Sequence, residues 1–291
     1  MKFSFIAAEN ASADQFDVKF MCRELAVSTS GYYAYRQRGI SQRQRDDLAL
    51  VPLIHEEFEK HPRGCGSRMI RGALRHRGHA VGRNRVVRLM AEEKLRHRLK
   101  RRFVRSTKSR RDEDYASNVL DRHFDVGEPN KVWAGDITYI HTRRGWAYLA
   151  AILDIGSRKV VGWHVAPNME EDLVLRALQQ AIDQRELPRG LIHHSDRGTQ
   201  YTAKAYQQLL ADNDIVCSMS RRGNCWDNAC VESFFSTIKR ELPNDHVFED
   251  WREVEGAVFE YVDAFYNTRR PHSALDYVTP NTYEERRQEA A

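Results

Sequence analysis

A chain of 291 residues is long enough to bury a sizeable core and is expected to hold one to three domains. Its formal charge of +5 hides an uneven distribution: residues 1–115 hold 26 Lys/Arg against 14 Asp/Glu, and residues 116–291 hold 20 against 27. No apolar run reaches membrane-spanning length, the start lacks the apolar core of a secretory signal, and the five cysteines are odd in number with no close CxxC pair. The expectation is a cytoplasmic chain with reduced thiols and no membrane partner. A basic front half and an acidic rear half fit a DNA grip joined to a cation-dependent site, with a merely solvated basic surface as the alternative.

Residues 1–15 begin apolar and turn polar; Phe3, Phe5 and Ile6 are able to pack. From Phe16 to Arg36 the pattern predicts a helix, a turn and a second helix, with Phe20, Leu25 and Val27 as a small core and Ser28 as the cap. Ser41 to Lys60 predicts a helix with Leu48, Val51, Ile54 and Phe58 on one stripe, interrupted or restarted at Pro52. After a break at His61–Gly64, helices over Ser67–His76 and Arg83–Lys94 flank a turn at Gly78–Gly82. Lys94 to Arg111 holds ten Lys/Arg in eighteen residues and keeps no helical period beyond Leu99. Such a stretch reads as a basic linker whose Arg101, Arg102 and Arg105 neutralise DNA phosphates without reading bases, against the alternative of a solvated charge run. The resulting division is 1–60, 61–95, a linker 96–129, a core 130–243 and a helical extension 244–291.

The core predicts strands near Val132–Ile140, Trp146–Asp154 and Lys159–Val165, then a helix over Glu170–Arg185. A strand at Leu191–Ser195, a helix at Thr202–Leu210, a strand at Ile215–Met219 and a helix at Asn228–Leu242 follow. Hairpins first and crossover helices after make an α/β layered core with a five-stranded mixed sheet. Trp251, Val254, Val258, Val262 and Phe265 mark a further amphipathic helix, and Thr279-Pro280 starts a short last one.

Three acids stand in distinct local settings: Asp136 in VWAGDITYI, Asp196 in LIHHSDRGTQY and Glu232 in GNCWDNACVESFFSTIKRE. Fifty-nine residues separate the first two and thirty-five the last two. Asp136 interrupts an apolar strand, where an unpaired charge is costly, and that separates it from the many solvated acids of the chain. Carboxylates at strand ends and on a packed helix can converge on hard divalent cations, which prefer oxygen donors. Asp154 is a second acid near a strand end. His193 and His194 are open to roles as DNA contacts, a proton-transfer aid or walls of the site, the last preferred because metal-activated water needs no histidine base. Asn228, Glu232 and Lys239 share a helix face by their spacing of four and seven.

These segments resemble the integrase-like core of second-reading-frame transposases of bacterial insertion sequences, relatives of retroviral integrase. The likeness is carried by Asp136, Asp196 and Glu232 at that spacing, HSDRG at His194–Gly198, the Gly223–Ala229 region, ESFFSTIK at Glu232–Lys239 and YNTRRPHSALDYVTP at Tyr266–Pro280. It implies a ribonuclease H-like fold preceded by small helix-turn-helix-like modules, and Asp136, Asp196 and Glu232 as catalytic acids holding Mg2+, with Mn2+ as a substitute. It leaves Asp154 outside the catalytic set, as structural or surface. Phosphodiester hydrolysis at element ends would be followed by strand transfer. Lys239, Asn228, Arg269 and Arg270 are the implied DNA contacts of the core, although the terminal motif, with Asn267 and His272, could equally staple the tail. The family has an aromatic residue where Cys65 stands here. Implied partners are double-stranded DNA at element ends and target, further copies of the chain, and an upstream-frame product or its frameshift fusion, with the protein on the nucleoid when bound. A ribonuclease H-like nuclease without strand transfer and a non-catalytic DNA-binding regulator stay open as alternatives.

Overall fold

A computed structural model of the chain describes residues 2–10, 16–38, 40–61, 64–96, 116, 127–220, 229–242 and 246–290. The chain divides into two compact units, Met1–Glu56 and Glu57–Ala291. The first unit holds α1 (Lys2–Glu9), α2 (Val18–Glu24), α3 (Thr29–Gln37) and most of α4 (Gln42–Glu59). α1 is an element that the sequence pattern leaves open. Its Ile6 joins Met21, Cys22 and Tyr32 in the buried core of this unit. Phe20, expected in that core, is 42% exposed and stacks on Phe16, because the phase of α2 turns Met21 and Cys22 inward instead. The Ser28 hydroxyl caps α3 as expected, accepting the Gly31 N–H at 3.0 Å. α4 runs straight through the exposed Pro52, which removes one backbone bond without ending the helix. Its buried side is Leu50, Ile54 and Glu57, so Leu48 lies outside.

The second unit opens with α5 (Ser67–His76) and α6 (Arg83–Glu92), which bury Ile70, Leu74, Val86, Leu89 and Met90. Glu57 accepts from Lys60 at 2.8 Å and from Arg77 at 3.0 Å, tying the end of α4 to this pair. Cys65 is buried and its thiol is pushed up to about 12 by burial, so it packs as a small apolar group. Gly72 lies directly under the Tyr277 ring, where any added Cβ would overlap the ring carbons.

The sheet has the order β3-β2-β1-β4-β5, from β1 (Val132–Thr142), β2 (Gly145–Asp154), β3 (Val160–Ala166), β4 (Ile192–Ser195) and β5 (Val216–Met219). β1, β2 and β3 form an antiparallel meander; β4 and β5 add in parallel to β1. Side-chain alternation splits the sheet into two buried faces. One, with Val132, Ala134, Leu149 and Leu153, packs on α10 (Ala229–Glu241) and α11 (Trp251–Tyr261). The other, with Trp133, Ile152 and Val161, packs on α7 (Glu171–Asp183) and α9 (Lys204–Asp212). The helix expected over Thr202–Leu210 starts earlier and breaks at Ala203, leaving the short α8 (Thr199–Thr202) before α9. This is the ribonuclease H-like arrangement of strands.

β3 is an edge strand, and side chains close part of its open backbone. Asn267 accepts from the Val160 N–H and donates to the Val160 carbonyl, each at 3.0 Å. Gln180 accepts the Trp163 N–H at 2.6 Å. Asn267 follows a π-helical turn, Val262–Tyr266, that extends α11. The last helix, α12 (Pro280–Glu289), starts with a Thr279 cap and is held by Glu284, which takes both Arg185 nitrogens at 2.6 and 2.8 Å and Lys159 at 3.0 Å.

Candidate active site

Strand pairing brings the two aspartates together. β4 runs parallel to β1 with Ala134 opposite His194, so two residues further along each chain Asp136 comes beside Asp196, just past the end of β4. Neighbouring strands lie about 4.8 Å apart, and equivalent positions of a parallel pair point to one face. Asp136 accepts the Ile137 N–H at 2.8 Å and Asp196 accepts the Gly198 N–H at 2.8 Å, which fixes one oxygen of each carboxylate. Burial first, and then the charge of Asp196, push Asp136 up to about 7; the Ile137 bond opposes this, Glu232 adds to it and Lys239 opposes it. Asp196 is also raised, chiefly by burial, against the Gly198 bond.

Glu232 arrives on α10. Val231, Phe234, Phe235 and Ile238 bury the inner side of that helix against the sheet, and Glu232 in its first turn is left exposed. Partial burial of its carboxylate by nearby protein raises it above the ordinary value. Two turns on, the half-buried Lys239 reaches back: its ammonium feels Asp136 and stands 4.8 Å from the centre of the Tyr139 ring. Burial lowers Lys239 and Asp136 opposes that shift. Three carboxylates and one ammonium thus share a field. Among the described residues no three His, Cys, Asp or Glu side chains are already gathered as a metal-ligand group. The donor set itself is all carboxylate oxygen, on a site whose charges repel one another, and this fits a hard divalent cation.

A tightly packed wall lies behind the aspartates. His193 and His194 face opposite ways and both are fully buried. His194 bonds the Ser218 and Ser220 hydroxyls at 2.9 and 3.0 Å, and His193 meets the Tyr206 hydroxyl at 3.0 Å. Burial holds His193 down to about 3, so it is neutral. Gly135 packs on the His193 and Tyr201 rings, and an added Cβ would lie 3.0 Å from the imidazole. Tyr201, which the sequence patterns do not single out, touches the Cβ positions of both Gly135 and Gly198, glycines close to the two aspartates. Its place in DRGTQY is the only signal the sequence holds for it.

The other expected positions separate. Asp154 is fully buried, accepts from Asn130 and Ser157 N–H groups at 2.5 and 2.8 Å, and is structural. Arg270 is bound by Glu241 through contacts of 2.8 to 3.2 Å and is nearly buried, so its guanidinium staples the tail to α10. Asn267 does the same at β3, and the half-buried His272 packs edge to face on Tyr266. Arg269 is exposed. Asn228, Arg101, Arg102 and Arg105, together with the Gly223–Asn228 stretch, lie outside the described residues.

Comparison with known proteins agrees with this architecture. The family described as Integrase core domain matches residues 127–225, a second Integrase core domain family matches 213–280, and an HTH-like domain matches 44–103. The Insertion element IS600 uncharacterized 31 kDa protein of Shigella sonnei is 38% identical over 91% of this chain and 98% of its own length. Transposase InsF for insertion sequence IS3A of Escherichia coli (strain K12) is 36% identical over 98% of both chains. Among solved structures, the HTLV-2 integrase catalytic core domain in complex with magnesium covers 54% of this chain and 97% of its own, at 19% identity and a TM-score of 0.41, a distant likeness. Identity of 36–38% along nearly the whole length, with integrase-core matches across both halves of the catalytic unit, means that the chain belongs to the IS3-type transposase family of bacterial insertion sequences.

Proposed function

We propose that the chain is a DNA transposase that hydrolyses phosphodiesters at element ends and then joins the freed 3′-hydroxyl to a target strand. The observation that carries this is the parallel pairing of β1 and β4, which sets Asp136 beside Asp196, with Glu232 of α10 close enough to act on the Asp136 charge. Asp136, Asp196 and Glu232 are the residues that would hold Mg2+, or Mn2+ in its place. A bound divalent cation of this kind supplies activation of the attacking oxygen and charge stabilisation of the leaving one.

The chain's own groups do the rest. Backbone N–H bonds from Ile137 and Gly198 hold one oxygen of each aspartate. Lys239 brings a positive charge to the rim of an acidic site, where it can take a DNA phosphate that the carboxylates alone would repel. In the first step a water oxygen bonds to phosphorus and the 3′ oxygen leaves as a hydroxyl. In the second, that hydroxyl attacks a target phosphodiester and displaces another 3′ oxygen, with no covalent bond to the protein. Two element ends must be held at once, which calls for more than one copy of the chain on double-stranded DNA. A product of an upstream frame, separate or fused, would supply further DNA contacts.

Glu232→Gln tests the reading. The variant keeps the size of the side chain and loses its charge. It should bind end DNA as the wild type does, yet fail both to cut and to join a supplied 3′-hydroxyl on precut ends with Mg2+. Wild-type joining by the folded variant would remove Glu232 from the site. Cutting without joining by the wild-type protein would favour the nuclease alternative.

A further inference from the structure

A cluster of exposed aromatic side chains lies on the β1–β2 hairpin close to the acids. Tyr139 is 43% exposed and Trp146 is 48% exposed, although large apolar side chains elsewhere in this unit are mostly buried. Their rings meet edge to face at 5.1 Å, and His141, also exposed, meets Trp146 at 5.1 Å in the same way. His141 and Trp146 are opposite partners in the β1–β2 ladder, so the cluster sits on a rigid hairpin. Along this flank of β1 the pairing with β4 covers only Val132–Ala134, and no other strand among the described residues covers the rest.

Position gives the cluster a meaning. Tyr139 follows Asp136 by three residues, roughly 10 Å along a strand, or about three nucleotide steps of DNA. Alternation turns Tyr139 and His141 to the face opposite Asp136, so the ledge starts where the acid site ends, round the open edge of β1. Lys239 bridges the two: it interacts with Asp136 and stands over the Tyr139 ring at 4.8 Å. Aromatic faces beside a cation, at the margin of a site for phosphodiester chemistry, match unpaired bases on a phosphate backbone. With one strand of an opened end at the acids, the other strand would pass this edge.

We infer that Tyr139, Trp146 and His141 form a stacking ledge for unpaired bases of a DNA end, on the strand that is not being cut. The inference rests on the transposase reading for the presence of DNA, but its test is read without chemistry. The probe is a duplex of arbitrary sequence whose terminal base pairs are mismatched and carry 2-aminopurine, compared with the same duplex fully paired, both in the absence of divalent metal. Wild-type protein should prefer the mismatched end by roughly ten-fold, with the 2-aminopurine signal changing as the base stacks. Tyr139→Ala and Trp146→Ala should each lose most of that preference while binding the paired duplex normally. Tyr139→Phe and Trp146→Phe should keep it. An unchanged preference in the doubly substituted Tyr139→Ala, Trp146→Ala protein overturns the inference, as does an equal loss on both duplexes. Sedimentation of the same variants covers the other occupant: a shift to a smaller assembly with the preference intact would make the ledge a contact between copies of the chain. Failure of the transposase reading would show instead as an absence of joined product from the wild-type protein on precut ends with Mg2+, a readout separate from the metal-free end preference.

Discussion

At the scale of single residues, the site combines groups that burial has driven in opposite directions. Asp136 and Asp196 are raised, and His193 beneath them is lowered, each chiefly because a charge is poorly solvated there. His193 has a consequence for stability. One ring nitrogen meets the Tyr206 hydroxyl, and among the described residues no carboxylate stands against the ring to compensate a proton on it. The folded value of about 3 lies below the ordinary 6.5. The unfolded chain therefore binds a proton that the folded chain refuses, and stability present above pH 6.5 is lost as pH falls toward 3, by up to the order of 5 kcal/mol. Urea unfolding at a series of pH values should show His193→Phe losing less stability over that window than the wild type, even where its absolute stability is reduced by the orphaned Tyr206 hydroxyl. Parallel pH curves for the two proteins would mean that His193 is not the group responsible.

At the scale of elements, α10 matters most, because it carries Glu232 at one end and Lys239 and Glu241 at the other. Its apolar side fixes the roll of the helix; the buried pair at its C-terminal end fixes it against the tail. Glu241 accepts from Arg270 and from the Tyr261 hydroxyl, the latter at 2.8 Å, and so links α10, α11 and the terminal segment. Removing one partner of a buried pair costs about 3–5 kcal/mol, since the other charge is left without compensation. Arg270→Ala should therefore lower stability by that order, and the paired change Glu241→Leu with Arg270→Met should recover most of it. Thermal or urea unfolding measures both. A large loss of DNA affinity in Arg270→Ala at unchanged stability would instead return this arginine to the phosphate contacts.

At the scale of the whole chain, charge is segregated by function. The acid site needs cations to accept DNA, and the front 115 residues carry the excess of Lys and Arg. The stretch from Lys94 to Arg111 has the density to neutralise phosphates but no helical period with which to present a base-reading face. Exchanging several of its arginines for glutamine should weaken unrelated duplexes alike and reduce the slope of log affinity against log salt, by about one unit for each phosphate that is no longer neutralised. Titrations at several salt concentrations provide the measurement. Loss confined to element ends would show that the stretch reads sequence.

Local pattern alone determined the kinds of element and their order in the catalytic unit. Alternating and continuous apolar runs marked all five strands, and the three- and four-residue spacing of Val231, Phe234, Phe235 and Ile238 marked α10, because burial of one face leaves a period in the chain itself. The same logic picked out Ser28 as a cap, since that bond spans only three residues. It failed where burial depends on what packs from afar. Phe20 and Leu48 carry the right residue type for a core and lie outside it, while Met21 and Cys22 on one helix and Leu50 and Ile54 on the other are buried instead. The terminal motif could be recognised but not interpreted: Asn267 and Arg270 became staples only through Val160 and Glu241, 107 and 29 residues away. The site divides in the same way. Its acids stood out by their local settings and by their resemblance to a family. That Asp136 and Asp196 are neighbours is a property of the parallel β1–β4 pairing, a long-range contact that leaves no period in either segment. The aromatic ledge was beyond reach for a related reason. Tyr139 and Trp146 are ordinary strand residues until the end of β4 determines which part of the β1 edge stays uncovered.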